Sequence, residues 1–456
     1  MSRLNSLLIK IILWLVIGWV GIMLLALRLG FFDVFSYSSF NYHNQGIDFF
    51  SLPKAFLNLL EHRSMYDSWG GNAYGPYSTW FIAHPAFGLV VGFWFSLFSP
   101  WTSYWLFVIL SLVLLGLSAH VLAADTADQS RKNIIYLLIF CSFPTYWVLY
   151  TGNIQAFSVL SFALILSALF LLAYREDAVS IRTANSQLLA GLLLSFFSKP
   201  FALLFLPVLL ANRETRRITG FCLAVYFLVS ILFIIAPPLN PEKLSAGQTL
   251  RVALSPQFAK EHLNVYRNNF VLNEYMKDNS IHWLNLVAQS DHYWNHIDIF
   301  ALSAFINTLA GKTLPGIIYK LPLLLALSGA GLICLARDRR RRLLLSLSLI
   351  MATSLTFFLS YNTVWEYQYT LFLPAAALLL LLQEKEAVFQ KWFLALLALA
   401  SFLSLPTLYF LVRWRPVDSL TLTVIRADKV VPALLLYLCL IALAAAAALP
   451  ARSNPS

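Results

Sequence analysis

The sequence predicts an all-α polytopic membrane protein, and three observations carry that prediction. Of 456 residues, 59% are hydrophobic and only 12% charged, against roughly a quarter charged in a soluble domain. The stretches 11–27, 154–174, 218–240, 343–365, 392–412 and 430–451 contain no Asp, Glu, Lys or Arg, and each approaches the ~20 residues that carry a helix across a hydrocarbon core. These runs are continuous where a transmembrane barrel needs short alternating strands, so helices are the structure left to satisfy the backbone in lipid. Residues 68–124 also lack charge, which leaves room for one span plus an interfacial helix. The expectation is a single membrane domain over 1–456 with about eleven or twelve transmembrane helices, two juxtamembrane helices in the first outer loop, and no soluble appendage.

The first element, MSRLNSLLIKIILWLVIGWV, resembles a signal peptide, but no small-x-small cleavage site follows it, so it reads as an uncleaved first helix. Basic residues then cluster between apolar runs: Arg131/Lys132, Arg175/Arg182, Arg213/Arg216/Arg217, Arg337 with Arg339 to Arg342, and Lys385/Lys391, in series with Arg3/Lys10. Placing all of them in the cytoplasm satisfies the positive-inside rule and explains the net charge of +11 without nucleic acid. The parity requires 85–98 to lie at the outer interface and 187–211 to form a helical hairpin with Lys199-Pro200 at its tip. Both termini are then cytoplasmic, and 29–99, 151–153, 237–312, 361–368 and 413–429 face outward. Cys141, Cys222, Cys334 and Cys439 fall in or beside apolar runs, which argues against a disulfide framework or a zinc site.

Chemistry needs polar groups, and these gather in the outer segments. In the first, Leu52, Ala55, Phe56, Leu59 and Leu60 recur at helical spacing, as in an amphipathic helix lying on a membrane. HPAFGLVVGFWFSLF supplies a second interfacial helix, and the Gly/Pro cluster at 70–76 turns the chain between them. Asp48, in NQGIDFF, precedes the first of these helices. It reads as a cap of that helix or as a catalytic acid–base group, with Gly46 bending the chain and Phe49 and Phe50 expected to anchor it in the interface. Tyr66-Asp67 fits acceptor binding or a plain turn before Gly70-Gly71. Lys199 is an ionisable group between two apolar stretches, a costly placement that often marks function, though a lysine can also snorkel to headgroups. Arg267, Lys277 and His282 are rival cations in the long loop, whose charges balance as a solvated surface would. Glu366, beside Trp365 and Tyr367, combines a carboxylate with rings that can cover sugar faces, or is part of an aromatic belt. Asn153 and Gln155 suit sugar hydroxyls or a helix end. His292 and His296 have metal-ligand spacing, but no general-base Glu lies between them and the loop is rich in His and Asn; no metal or other cofactor is expected.

Seven segments occur together in a recognisable order: IDFFSLPKAF around Asp48, SMYD with Tyr66-Asp67, NAYGPY with Tyr74 and Pro76, GNIQAFSVL, SKPFALLFLP, NSIHWLNLV with Asn279, and VWEYQYTLFLP. With the acid in the first outer loop and the paired juxtamembrane helices, the chain resembles the GT-C superfamily. More narrowly, it resembles glycosyltransferase family 87, the polyprenyl-phosphate-mannose-dependent type. Tyr367 stands where that family often has His, and Gly152-Asn153 where it often has Gly-Gln. The resemblance implies a GT-C-like fold and a bacterial inner-membrane enzyme working on its outer face, with a polyprenyl-phosphate sugar as donor and a lipid-linked or cell-envelope glycan as acceptor. Asp48 would be the catalytic residue, and the donor phosphate would meet Lys199, Arg267, Lys277 or His282. Sugar or acceptor would meet Tyr66, Asp67, Tyr74, Asn153, Gln155, Asn279, Trp365, Glu366 and Tyr367. Such a transfer needs one base for the acceptor hydroxyl and cations for the leaving phosphate, whereas glycosidases need two carboxylates because their leaving group is poor. Two rivals remain at this stage. A transporter or flippase would place polar groups at the membrane midplane. A glycan polymerase or ligase with diphosphate donors would use outer-loop arginines, and the 237–312 loop holds only Arg251 and Arg267.

Overall fold

The computed structural model describes residues 2–31, 45–60, 83–235, 301–312, 317–336, 338–360, 366–406 and 419–448, with isolated positions between them. Every regular element among them is helical. Helix α1 (Ser2–Arg28) leads to α2 (Ser51–Leu60), then α3 (Pro85–Ser96), α4 (Pro100–Ala123), α5 (Gln129–Phe140), α6 (Phe143–Thr151), α7 (Gln155–Tyr174) and α8 (Ala178–Ser198). A 3-10 turn (Phe201–Phe205) enters α9 (Leu206–Ala211), followed by α10 (Arg216–Ile235), α11 (Leu302–Ala310), α12 (Ile317–Leu335) and α13 (Arg339–Ser360). A second 3-10 segment (Glu366–Phe372) enters α14 (Leu373–Lys385), and α15 (Ala387–Ser404) and α16 (Ser419–Ala448) complete the bundle.

The all-α polytopic expectation holds. Among the described residues, five helices are long and apolar enough to cross a membrane, and α5 with α6 makes a sixth if that pair, bent by 44°, counts as one span. The bend falls at Cys141-Ser142, where Ser142 turns extended two residues ahead of Pro144; proline lacks the amide that would continue the helix. Four shorter apolar helices, Pro85–Ser96, Phe201–Ala211, Lys320–Leu335 and Phe389–Ser404, account for further expected segments. The break at Lys199-Pro200 falls at the expected hairpin tip, but the returning arm is short: eleven residues at ~1.5 Å each cover about half of a ~30 Å hydrocarbon core.

The two juxtamembrane helices pack on one another. A side chain at Gly92 would lie 2.5 Å from the carbonyl of Leu52, so only glycine permits this approach, and Phe56 meets Phe93 edge-on at 5.4 Å. The apolar stripe of α2 is thus divided: Leu52 and Ala55 are buried in protein while Leu60 is exposed.

α7 and α13 form the buried axis of the bundle. α7 is pinned to α8 by Ser161 Oγ, which donates to the carbonyl of Gly191 at 2.7 Å, the polar, small-residue contact that membrane helices favour. At the Tyr174 end of α7 the predicted basic clusters converge on acids. Arg131 pairs with Glu384 at 3.1 Å, Arg340 with Glu386 at 2.8 Å and Arg342 with Glu214 at 2.6 Å, while Tyr174 donates to Glu386 at 2.7 Å. The Arg342–Glu214 pair is shielded, with 11% and 17% of the side chains accessible. Removing one member strands the other charge, so Glu214→Ala is expected to lower stability by about 3 kcal/mol, measured by denaturation in detergent; an unchanged midpoint would contradict it. Gln155 starts α7 at the opposite end, about 30 Å away for its 20 residues.

Candidate active site

The corner between α6 and α7 gathers several of the candidate residues. Gly152 ends α6 in the left-handed region (φ 66°), its amide bonding to Leu149 and that of Asn153 to Val148, the double bond of a Schellman cap. The carbonyls left at this helix end receive the chain around Asp48: Gly46 N donates to Tyr150 O at 2.7 Å, and the amides of Asp48 and Phe49 donate to Thr151 O at 2.9 and 3.3 Å. Gly46 has φ 76°, which turns the chain into this docking. The expected anchoring of Phe49 and Phe50 in the membrane interface is not what is found, since both are fully buried. Phe49 packs edge-on to Phe95 and tilted on Phe107, and Phe50 meets Trp101 edge-on, because rings with so much apolar area gain more inside a core.

This main-chain docking aims the Asp48 carboxylate at α7. Its Oδ2 accepts from Asn153 Nδ2 at 2.8 Å, while the Thr151 hydroxyl donates to Trp147 O at 3.1 Å. Asn153 Oδ1 in turn accepts from the main-chain amide of Gln155 at 2.9 Å, and Lys199 Nζ donates to the Gln155 side-chain Oε1 at 2.9 Å. Asp48, Asn153, Gln155 and Lys199, four residues singled out from the sequence, are therefore joined in one hydrogen-bonded chain. The carboxylate faces Asn153 and Thr151, so the reading of Asp48 as the side-chain cap of α2 gives way; its contact with that helix is the Ser51 hydroxyl on its own carbonyl, at 2.7 Å.

Burial raises the Asp48 carboxyl above the usual aspartate range, against the opposing pull of Asn153, Lys199 and Thr151. Burial likewise pushes the Lys199 ammonium down to about 8, with Asp48 opposing the shift. Both side chains keep part of their surface accessible. Desolvation therefore dominates at both groups although neither is fully enclosed.

Lys199 is held by the helix break. Pro200 disfavours a helical residue before it, and Lys199 is extended. Ser195 Oγ bridges the gap, donating to Lys199 O at 3.1 Å and accepting from Ala202 N at 3.0 Å. His84 ties α3 to the same end: its amide donates to Phe197 O at 3.2 Å. Its Nδ1 accepts from Ala86 N at 3.1 Å, so Nε2 carries the hydrogen toward Ser230 Oγ, 3.1 Å away. Burial drives this imidazole down to about 3, which makes it a neutral cap. Sequence reading missed His84, Ser195 and Thr151, since their partners lie far along the chain or in its backbone. It also missed Arg426 and Lys429, both fully buried. Arg426 donates to Ala304 O at 3.0 Å and contacts Thr308. Lys429 donates to Phe402 O at 2.8 Å and to Leu405 O, closing the end of α15, with its ammonium 5.9 Å over the Tyr369 ring.

Among the other candidates, Tyr74 has its hydroxyl occupied by Phe95 O, Phe98 O and Ser103 Oγ at 2.8 to 2.9 Å, so it locks the end of α3 to α4 and stands apart from the Asp48 chain. Glu366 and Tyr367 open the second 3-10 segment, which packs against α6 and α7; their side chains lie outside the described residues. Tyr66, Asp67, Arg267, Lys277, Asn279, His282, Trp365, and the His292/His296 pair also lie outside the described residues.

Comparison with known proteins bears on residues 81–360, which match the model of glycosyltransferase family 87. No curated protein matches the chain, and no solved structure does. Asn153, Gln155 and Lys199 fall inside the matched region, and Asp48 lies ahead of it. Covering more than half of the sequence, the match settles the family: the chain belongs to glycosyltransferase family 87 and is a membrane-embedded glycosyltransferase.

Proposed function

We propose that the enzyme is an inverting transferase that moves a sugar, mannose foremost, from a polyprenyl-phosphate donor to a hydroxyl of a lipid-linked or other cell-envelope glycan, on the outer face of a bacterial inner membrane. The hydrogen-bonded chain from Asp48 to Lys199 is the observation that carries this reading. It puts one carboxylate and one cation at the two ends of a short polar strip, the minimal set for this reaction. Asp48 takes the acceptor proton as the oxygen bonds to the anomeric carbon. The anomeric carbon–oxygen bond breaks on the opposite side, its electron pair leaving on the phosphate, and Lys199 meets the charge that develops. Displacement in one step inverts the anomeric centre, and phosphate needs no general acid because it leaves as a stable anion. Asn153 and Gln155 hold the two ends in register and offer polar groups to the sugar. The outer-face assignment is supported by the separation along α7, with the basic clusters at its Tyr174 end and the Asp48 chain at the other.

The perturbed groups set a pH dependence. Asp48 must be ionised, and its raised pKa moves the acid limb above that of an ordinary aspartate. Lys199 must be charged, and activity falls as pH rises through about 8. Lys199→Arg is expected to move the alkaline limb upward, because guanidinium stays protonated; an unmoved limb in a kcat/KM profile would remove Lys199 from the phosphate site.

The deciding test is transfer of labelled sugar by the purified protein from polyprenyl phosphate, polyprenyl diphosphate and nucleotide donors in parallel, with the anomeric configuration of the product determined. Transfer from the monophosphate with inversion is expected. Transfer from the diphosphate alone would favour the polymerase or ligase alternative.

A further inference from the structure

The side chain of Gln155 is fully buried, yet among the described residues its Nε2 has no hydrogen-bond partner. The orientation of the amide is not in question. An ammonium can only donate, so Oε1 must face Lys199 and Nε2 must face away. One turn deeper, Ser158 Oγ is likewise fully buried and unpartnered among the described residues; positions i and i+3 share a helix face. The next serine on this face, Ser161, is satisfied by Gly191. Along α7, the buried polar groups without a partner among the described residues are therefore confined to the first turn and a half, at the Asp48 end. A buried donor left unmade costs about 1–3 kcal/mol, so native structures rarely leave one without an occupant.

The character of the missing partner follows from its surroundings. It must accept from an amide. Any acceptor on Nε2 lies within about 7 Å of the ammonium bonded to the same amide, given N–H···O distances near 3 Å. It also lies at the N-terminus of a 20-residue helix, where the helix dipole favours negative charge. A neutral sugar hydroxyl uses none of this electrostatic advantage, whereas a phosphate oxygen uses all of it. We infer that Gln155 Nε2, with Lys199 and the first turn of α7, forms a site for the phosphate group of a lipid-linked substrate, with Ser158 Oγ as its inner hydrogen-bonding wall. This rests on the donor reading above and deepens it by moving Gln155 from the sugar to the phosphate.

The test is equilibrium binding to the full-length protein in nanodiscs of uncharged phospholipid, with polyprenyl monophosphate, the uncharged polyprenol of the same length, and inorganic phosphate as competitor. Wild-type protein is expected to prefer the phosphate to the alcohol. Gln155→Leu is expected to weaken polyprenyl phosphate roughly tenfold or more, as for loss of a hydrogen bond to a charged group, and to leave polyprenol unchanged; Ser158→Ala is expected to lose less. Gln155→Glu keeps the shape and the Lys199 contact but repels an anion, so it carries the test if the leucine variant does not fold, and its loss is expected to be the larger. Competition by inorganic phosphate that these variants abolish supports a site reading the phosphate itself; competition that they leave intact overturns it. If Lys199→Ala loses the phosphate preference while both Gln155 variants keep it, this assignment fails and the donor reading stands. If wild-type protein shows no preference for phosphate over alcohol, the donor reading falls with it.

Discussion

Asp48→Asn is expected to lower the transfer rate by roughly 10²–10⁴-fold, the usual contribution of a positioned general base, with little change in donor binding. The substitution is nearly isosteric, and its amide oxygen can still accept from Asn153 Nδ2 as the carboxylate does at 2.8 Å. The docking of the loop is also untouched, because it runs through the amides of Gly46, Asp48 and Phe49. A rate loss with unchanged thermal stability therefore reports on proton transfer and not on folding. Labelled-sugar transfer and a melting curve on the same preparation decide the matter, and a variant as fast as wild type would remove Asp48 as the base.

The second large effect is expected at a residue with no side chain. Gly152→Ala places a methyl in the left-handed region, at about 1–2 kcal/mol, and within 2.5 Å of Phe49 Cβ. Phe49 has no room to retreat, being enclosed by Phe95 and Phe107. The loop must then lift from the end of α6, carrying Asp48 with it. Misplacement of a reacting group by about 1 Å costs on the order of 10²-fold, so activity should fall by at least that much. The melting midpoint should fall too, by the equivalent of about 2 kcal/mol or more once overpacking is added. Wild-type rate and melting together would show that the corner does not set the position of the acid.

How much of this was legible in the sequence depends on how far each residue's meaning travels. Helical class and the basic clusters could be read directly, because charge is rare in this chain and stands out where it occurs. The same rarity exposed Asp48 and Lys199, and the helix-terminal positions of Asn153 and Gln155 made them visible beside a Gly turn. What could not be read is how these positions meet: Asp48 and Asn153 are 105 residues apart, and Gln155 and Lys199 are 44. The interfacial role expected of Phe49 and Phe50 failed for a related reason, since an aromatic pair looks the same in sequence whether lipid or protein covers it. Arg426 and Lys429 escaped notice because the carbonyls that satisfy them belong to other helices. Prolines bend or shorten two of the apolar runs, at Pro144 and Pro200, which hydropathy along the sequence does not register.

The clasp between the Asp48 loop and the end of α6 separates two tasks that a loop usually combines. Attachment is carried by main-chain amides and carbonyls, which every residue but proline possesses, while the proposed chemistry is assigned to a single side chain. Ile47, between two docked amides and itself only half-buried, is therefore free to change without releasing its neighbour. Substitution at that position can alter the surroundings of Asp48 while its carboxylate keeps its address.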